Sequence, residues 1–324
     1  MAEVKPGAGR ILVTGAGGFV GRALCSALQQ EQLTAIAAVR RIPGGTGLAR
    51  EIAVGDLGPD NDWQAALQGV SCVVHLAART HVLNDRSPDP LAEYRRINVA
   101  ATAHLARQAA RSGVRRFVFL SSVKVNGEST GPHPYRESDD PRPEDAYGIS
   151  KREAEDALRA IGAETGMEIV ILRPPLVYGP GVKGNFLQLL KAVARDLPLP
   201  LASINNRRSL VYVGNLVDVI IACIREPAAA GKTFLVKDGE DLSTPELARR
   251  LAEALGRNPV LLPFPPVLLR FGASLIGKHG AMMRLTGSLT IDDSALRRDL
   301  GWQARFSLDQ GLSATARWYY QGTK

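Results

Sequence analysis

Eight residues near the amino end, Thr14-Gly15-Ala16-Gly17-Gly18-Phe19-Val20-Gly21, constrain this chain more than any other stretch. They lie between a short apolar run, Ile11 to Thr14, and a segment in which Val20, Leu24 and Leu28 recur at helical spacing. Each glycine has a mechanical purpose there. Gly15 permits a tight turn, Gly18 lets backbone amides approach a bound group, and Gly21 lets the helix pack close against the strand. The start of the helix then offers unpaired N–H groups and a partial positive charge, which suit a phosphate. Such a pattern alone could be a flexible turn. Between the first strand and first helix of an alternating chain it points to a pyrophosphate-bearing ligand.

The alternation continues. Thr34 to Val39, Cys72 to Leu76, Arg116 to Leu120 and Glu168 to Leu172 read as buried strands. Tyr94, Ile97, Ala101 and Leu105 stripe a helix ending near Gly113, and Ala154, Ala157, Leu158 and Ile161 stripe another. Strand and helix in turn, joined by short connections, imply an α/β fold: a Rossmann-type doubly wound parallel sheet covered on both faces. After Tyr178 the rhythm degrades and helix-like segments dominate, so a smaller, mainly helical C-terminal substrate lobe is expected. Val211 to Ile224 and Thr233 to Val236 read as a returning helix and strand. The expected division is therefore a dinucleotide-binding domain, 1–177 with a returning segment 209–239, and a substrate lobe, 178–208 with 240–324.

Composition narrows the function. The net charge of +8 favours acidic ligands, phosphates among them. The basic residues are dispersed and not interleaved with aromatics, so nucleic acid is not expected. Cys25, Cys72 and Cys223 are far apart and fit reduced thiols in a cytoplasmic protein. The five histidines lack metal-ligand spacing, and no metal is expected. No signal-like apolar run opens the chain. The most apolar stretch, Val260 to Ile276, holds Pro263, Pro265, Pro266 and Arg270, which argues for a buried helix or an apolar lobe surface and against a membrane span.

Two further patterns carry chemistry. The second strand runs into Val39-Arg40-Arg41, and no Asp or Glu lies between Leu33 and Arg50. A carboxylate there would hold the ribose of NAD, whereas a guanidinium grips the 2′-phosphate of NADP. NADP (as NADPH) is therefore expected, with NAD possible. Tyr147 and Lys151, four residues apart, share one helix face. A nearby ammonium favours the phenolate and would move Tyr147 toward neutral pH, making it an acid/base for a carbonyl or alcohol oxygen. Ser121-Ser122 ends a strand, where parallel sheets place their ligands.

Together these residues resemble the extended short-chain dehydrogenase/reductases, the group of nucleotide-sugar epimerases, dehydratases and reductases. The likeness takes in residues 14–21, Gly55-Asp56-Leu57, His75-Leu76-Ala77-Ala78, Asn98, Ser121-Ser122 with Gly127, Tyr147/Lys151, Arg173-Pro174 and Gly179-Pro180-Gly181. It implies that Tyr147 is the acid/base, Lys151 its electrostatic partner and Ser122 the ligand of the reacting oxygen. Gly15, Gly18, Phe19, Val20, Gly21, Arg40, Asp56, Leu57, Leu76, Ala77, Ala78, Asn98, Lys151 and Pro174 would contact the dinucleotide. Thr80, Ser122, Lys124, Asn185 and Arg208 would contact a UDP-sugar. The resemblance also suggests a homodimer. In the dehydratases Asp-Glu follows the catalytic Thr; here Val123-Lys124 stands there, which argues against elimination, and Leu176 replaces a usual Asn. Ser122-Val123-Lys124-Val125-Asn126-Gly127-Glu128 looks like the bacterial 4-keto-sugar reductases of O-antigen synthesis. The expected activity is thus NADPH-dependent reduction of the 4-keto group of a UDP-linked 6-deoxy (N-acetylamino) sugar. The rivals are an NAD-dependent UDP-sugar 4-epimerase and a non-catalytic NADP-binding scaffold or sensor.

Overall fold

The computed structural model describes residues 9–43, 45–48, 50–80, 87–265, 267–269 and 279–322. Five strands, β1 (Arg10–Thr14), β2 (Ala35–Val39), β4 (Val70–His75), β5 (Arg116–Leu120) and β6 (Glu168–Arg173), form the middle of a parallel sheet. Short β3 (Glu51–Ala53) and β9 (Thr233–Leu235) close its edges, in the order β3-β2-β1-β4-β5-β6-β9. The order reverses direction between β1 and β4, which opens a crevice at their carboxyl ends. Leu12 pairs with Ile36 on one side and Val73 on the other, so β1 has no free edge.

Side chains alternate along each strand, and that alternation sorts the core into two layers. Ile11 and Val13 point into a layer with Leu24 and Leu28 of α1 (Phe19–Gln30) and Leu216, Val217 and Ile220 of α7 (Val213–Arg225). Leu12 points the other way, toward Trp63, Leu105 of α4 (Ala101–Arg111) and Leu158 of α5 (Ala146–Thr165). Each fully buried Leu stabilises the fold by about 1.5–3 kcal/mol, so both layers are needed. The returning helix and strand expected after residue 210 are α7 and β9.

A three-stranded sheet, β10-β8-β7, lies beyond the main one. It contains β7 (Leu176–Tyr178), β8 (Arg208–Tyr212) and β10 (Asp241–Leu242). Residues 209–212 therefore belong to this small sheet and not to the large one. Tyr178, Phe186 of α6 (Gly184–Ala194), Leu251 of α8 (Thr244–Ala254) and Leu312 of α11 (Leu308–Gly322) pack a third apolar cluster around it. Helices α9 (His279–Thr286) and α10 (Ser294–Leu300) complete the C-terminal part.

Two expectations need adjusting. The stripe expected at Tyr94, Ile97, Ala101 and Leu105 is interrupted by a π-helical turn, Arg95–Ala100, between α3 (Pro90–Tyr94) and α4. The wider turn advances the face by one residue, so Asn98 is buried and Ile97 only partly so. Along Val260 to Ile276, Val260, Leu262, Phe264, Val267 and Leu268 are exposed, so this part is surface and not a buried helix; residues 266 and 270–276 lie outside the described residues. Among the described residues, no helix is long and apolar enough to cross a membrane.

Candidate active site

Because the main sheet is parallel, every strand delivers its carboxyl end to one edge. That edge receives the glycine turn from β1, Arg40 from β2, Asp56 and Leu57 beyond β3, Leu76 to Ala78 from β4, Ser121-Ser122 from β5 and Pro174 from β6. The geometry of the turn requires glycine. At Gly15, with φ at +66°, an added Cβ would lie 2.7 Å from the Ala77 nitrogen. At Gly21 it would lie 2.2 Å from the Gly15 oxygen. The turn is thus pressed between β4 and its own helix. No side chain caps the N-terminus of α1, and its first turn holds no acid; the Gly18 N–H is taken by the Gly15 oxygen at 2.9 Å, so the backbone donors at Phe19 and Val20 are the ones that suit a pyrophosphate.

Arg40 is 82% exposed, with its guanidinium 3.8 Å from the Asp56 carboxylate. The two side chains expected at the adenosine end of a dinucleotide are therefore neighbours. Asn98 is fixed from both sides. It accepts from the Arg79 nitrogen at 2.8 Å, and its amide donates to the Arg79 oxygen at 3.0 Å and the Ser150 hydroxyl at 2.9 Å. This ties the segment after β4 to α5.

Tyr147 and Lys151 stand in the first turns of α5, and Ser122 just beyond the end of β5. Asp145 caps α5 by accepting from the Gly148 nitrogen at 2.7 Å, which starts the helix one residue before Tyr147. Ser122 stands close enough to the Tyr147 hydroxyl to act on it, favouring the phenolate. Its ring meets Tyr94 edge-on, with centroids 6.2 Å apart. The Lys151 ammonium donates to the Leu120 oxygen at 2.7 Å and lies 4.1 Å over the Phe119 ring.

The electrostatics differ from the expectation. Burial pushes the Tyr147 phenol well above its ordinary value, Asp145 and Tyr94 add to this, and Ser122 only partly opposes it. Burial instead drives the lysine itself down, to about 7, with Glu155 opposing. Lowering of the Tyr147 pKa by Lys151 is thus not a property of the protein alone. A positively charged ring beside the phenol would act in that direction.

The lysine shift has a testable sign. Its folded value, about 7, lies below its ordinary 10.5. Folding therefore carries a full penalty below pH 7, and the penalty fades as pH rises toward 10. Lys151→Met should be inactive yet more stable than wild type in urea at pH 6, and the gain should shrink by pH 9.5. A gain that grows with pH would contradict the shift.

The expected substrate contacts are less uniform. The Lys124 ammonium is taken up by Glu128 and Asp145, each at 2.5 Å, and clamps the Ser122 turn to the start of α5. Arg208 donates to the Gly287 oxygen at 2.9 Å. Burial and Arg284 lower its pKa, while Glu128 opposes. Asn185 is exposed at the start of α6, and Thr80 is exposed with its oxygen accepting from Tyr94 at 3.0 Å. Asp145, Tyr94, Glu155 and Arg173 also build the site and were not expected in it. Only Asp145 left a signal, an acid three residues before Gly148 at a helix start.

A model of the NAD dependent epimerase/dehydratase family matches residues 11–236. This chain belongs to that family. Within and around it, "UDP-glucose 4-epimerase" of Vibrio cholerae is 44% identical over 315 residues, 96% of this chain and 95% of that protein. An Escherichia coli O157:H7 enzyme, "N-acetyl-alpha-D-glucosaminyl-diphospho-ditrans,octacis-undecaprenol 4-epimerase", is 28% identical over 84% of each chain. Among solved structures, MoeE5 in complex with UDP-glucose and NAD superposes with a TM-score of 0.80 at 29% identity, covering 98% of this chain and 100% of that one. The epimerase/dehydratase fold thus accounts for the sheet, the crevice and the placing of the Ser–Tyr–Lys group.

Proposed function

We propose that this chain is a UDP-hexose 4-epimerase that works through a retained nicotinamide dinucleotide. The observation that carries the reading is the intact Ser122–Tyr147–Lys151 group in a chain so close, over nearly its whole length, to the Vibrio cholerae epimerase. The comparisons favour this over the 4-keto reductase expected from residues 122–128.

The glycine turn fits a dinucleotide: a side chain at Gly15 or Gly21 would collide with backbone, and the α1 donors are free of caps. When bound, the dinucleotide supplies a two-electron hydride acceptor and donor. The chain's own work is at the sugar O4. Tyr147 takes the O4 proton and later returns it, Ser122 hydrogen-bonds the same oxygen, and Lys151 offsets negative charge on the phenol. Arg208, with donors left beyond Gly287, would hold the diphosphate. The resting phenol is protonated, so it must lose that proton before it can act as a base. Lys124 is locked between two carboxylates and supplies no base for elimination.

A second reading, an NADPH-dependent 4-keto reductase, is favoured by Arg40 at the end of β2. Incubation of the purified protein with UDP-glucose or UDP-N-acetylglucosamine should yield the C4 epimer with no net change in reduced-nicotinamide absorbance. Stoichiometric loss of NADPH on a UDP-4-keto-6-deoxy sugar, with no epimerisation of either UDP-hexose, would displace the proposal. Arg40→Asp separates the cofactors. If Arg40 grips a 2′-phosphate, affinity for NADPH should fall about tenfold or more while affinity for NADH holds. Equal affinities before and after would remove Arg40 from cofactor choice.

A further inference from the structure

Glu155 is fully buried on α5, one turn beyond Lys151. Its carboxylate accepts from the Ser121 hydroxyl at 2.6 Å, from Arg173 at 2.9 and 2.6 Å, and from Arg159 at 3.0 Å. Arg173, also buried, donates onward to the Asn126 side chain at 3.1 Å. Ser121 and Asn126 flank the turn that starts at Ser122. Lys151 and Glu155 therefore grip consecutive residues of one strand end: the ammonium holds the Leu120 carbonyl, and the carboxylate holds the Ser121 hydroxyl.

We propose that Glu155 is a positioning residue behind the proton-transfer pair: with Lys151 it clamps the end of β5 beside Ser122, and it sustains Lys151 as an ammonium. It acts through Lys151 and Ser121, not by touching substrate. The idea rests on the reading that Ser122, Tyr147 and Lys151 handle the sugar O4 proton. Residues at i and i+4 on a helix are side-chain neighbours, and although the two make no direct ion pair, the Glu155 charge opposes the effect of burial on Lys151. The other groups around the ammonium do not replace Glu155. From β5 come the Leu120 carbonyl and the Phe119 ring. From β4 comes His75, held neutral by its burial and by Lys151 itself. From α5 comes the Tyr147 phenol, also neutral.

The test reads the lysine directly. Protein labelled with carbon-13 at lysine Cε is titrated by NMR, with the Lys151 resonance assigned from its loss in Lys151→Met. Wild type is compared with Glu155→Gln and with the double variant Glu155→Leu/Arg173→Met. The double variant strands neither member of the buried Glu155–Arg173 pair, so it preserves the fold where the single variant fails. The expected result is a Lys151 midpoint lower by about one pH unit or more in each folded variant, a tenfold or greater loss of ammonium well above the midpoint. The alkaline fall of turnover should move down in pH with it. An unchanged midpoint in the folded double variant overturns the proposal. The resonance needs no substrate, so inactivity of wild type on every UDP-hexose would sink the functional reading and leave this result standing.

Discussion

Replacing Tyr147 with Phe is expected to lower turnover by about 10²–10⁴-fold, the usual worth of a positioned acid/base. The change removes one oxygen and keeps the ring that meets Tyr94 edge-on. The thermal midpoint of the variant should therefore stay close to wild type. Dinucleotide retention should also be unchanged, because on the proposed reading the pyrophosphate would rest on the glycine turn and α1 and not on Tyr147. Melting by circular dichroism, the bound-nucleotide content and the epimerisation rate together check this. A variant that keeps its fold, its cofactor and more than a tenth of wild-type turnover would show that another group moves the O4 proton.

The second large effect concerns stability. Arg173→Met removes the buried one of the two guanidinium partners of a buried carboxylate, and breaking such a pair from one side costs about 3–5 kcal/mol. Burial pushes Glu155 up, but the bonds from Arg173 and Ser121 and the charge of Arg159 outweigh it and hold the group below its ordinary value. A depressed carboxylate contributes stability above its unfolded value, about 4.3, and loses it as pH falls through the folded value. In Arg173→Met the two largest contributions opposing burial are lost, and only the Ser121 bond and the Arg159 charge remain against it. The deficit should be largest near pH 7 and should narrow toward pH 4.5, where a proton neutralises Glu155. Urea unfolding at both pH values measures it. A deficit that does not change with pH would mean that lost packing, not the stranded charge, is the cause. The paired change Glu155→Leu/Arg173→Met should recover most of the loss at pH 7, because neither charge then remains buried alone.

These two results separate the roles of neighbouring residues. Under the proposed function, loss of Tyr147 should remove chemistry and leave the fold. Arg173 lies behind the cleft and its loss removes the support on which Ser122 and Lys151 stand. The buried pair and the clamp of Lys124 on Glu128 and Asp145 hold the start of α5 against the ends of β5 and β6.

Much of this molecule was legible in the linear chain, because its strongest signals are local. Val20, Leu24 and Leu28, and the buried runs at 11–14, 116–120 and 168–172, report periodicities that short segments impose on themselves. The turn at residues 14–21 was equally plain, since backbone sterics admit only glycine at Gly15 and Gly21. Once the sheet is parallel, its topology alone brings Ser122 to the same edge as the turn, and the spacing of Tyr147 and Lys151 puts them on one face. The π-helical turn at Arg95–Ala100 was hidden, because one extra residue in a helix leaves no compositional mark yet decides that Asn98 and not Ile97 faces inward.

Electrostatics lay furthest from the sequence. A Tyr–Lys pair at helical spacing suggests a lowered phenol, but burial acts on both groups and reverses the outcome for Tyr147. Desolvation depends on what the whole fold stacks above a side chain, which no local pattern encodes. The same holds for Lys124, free in the sequence and bound by two carboxylates in space, and for Glu155 and Arg173, 18 residues apart and joined only when α5 lies across β6. Local sterics and periodicity thus determined the elements, the glycine turn and the placing of Ser122, Tyr147 and Lys151. Tertiary packing alone decided their charges and their supports, because Coulomb and desolvation energies are set by three-dimensional neighbours.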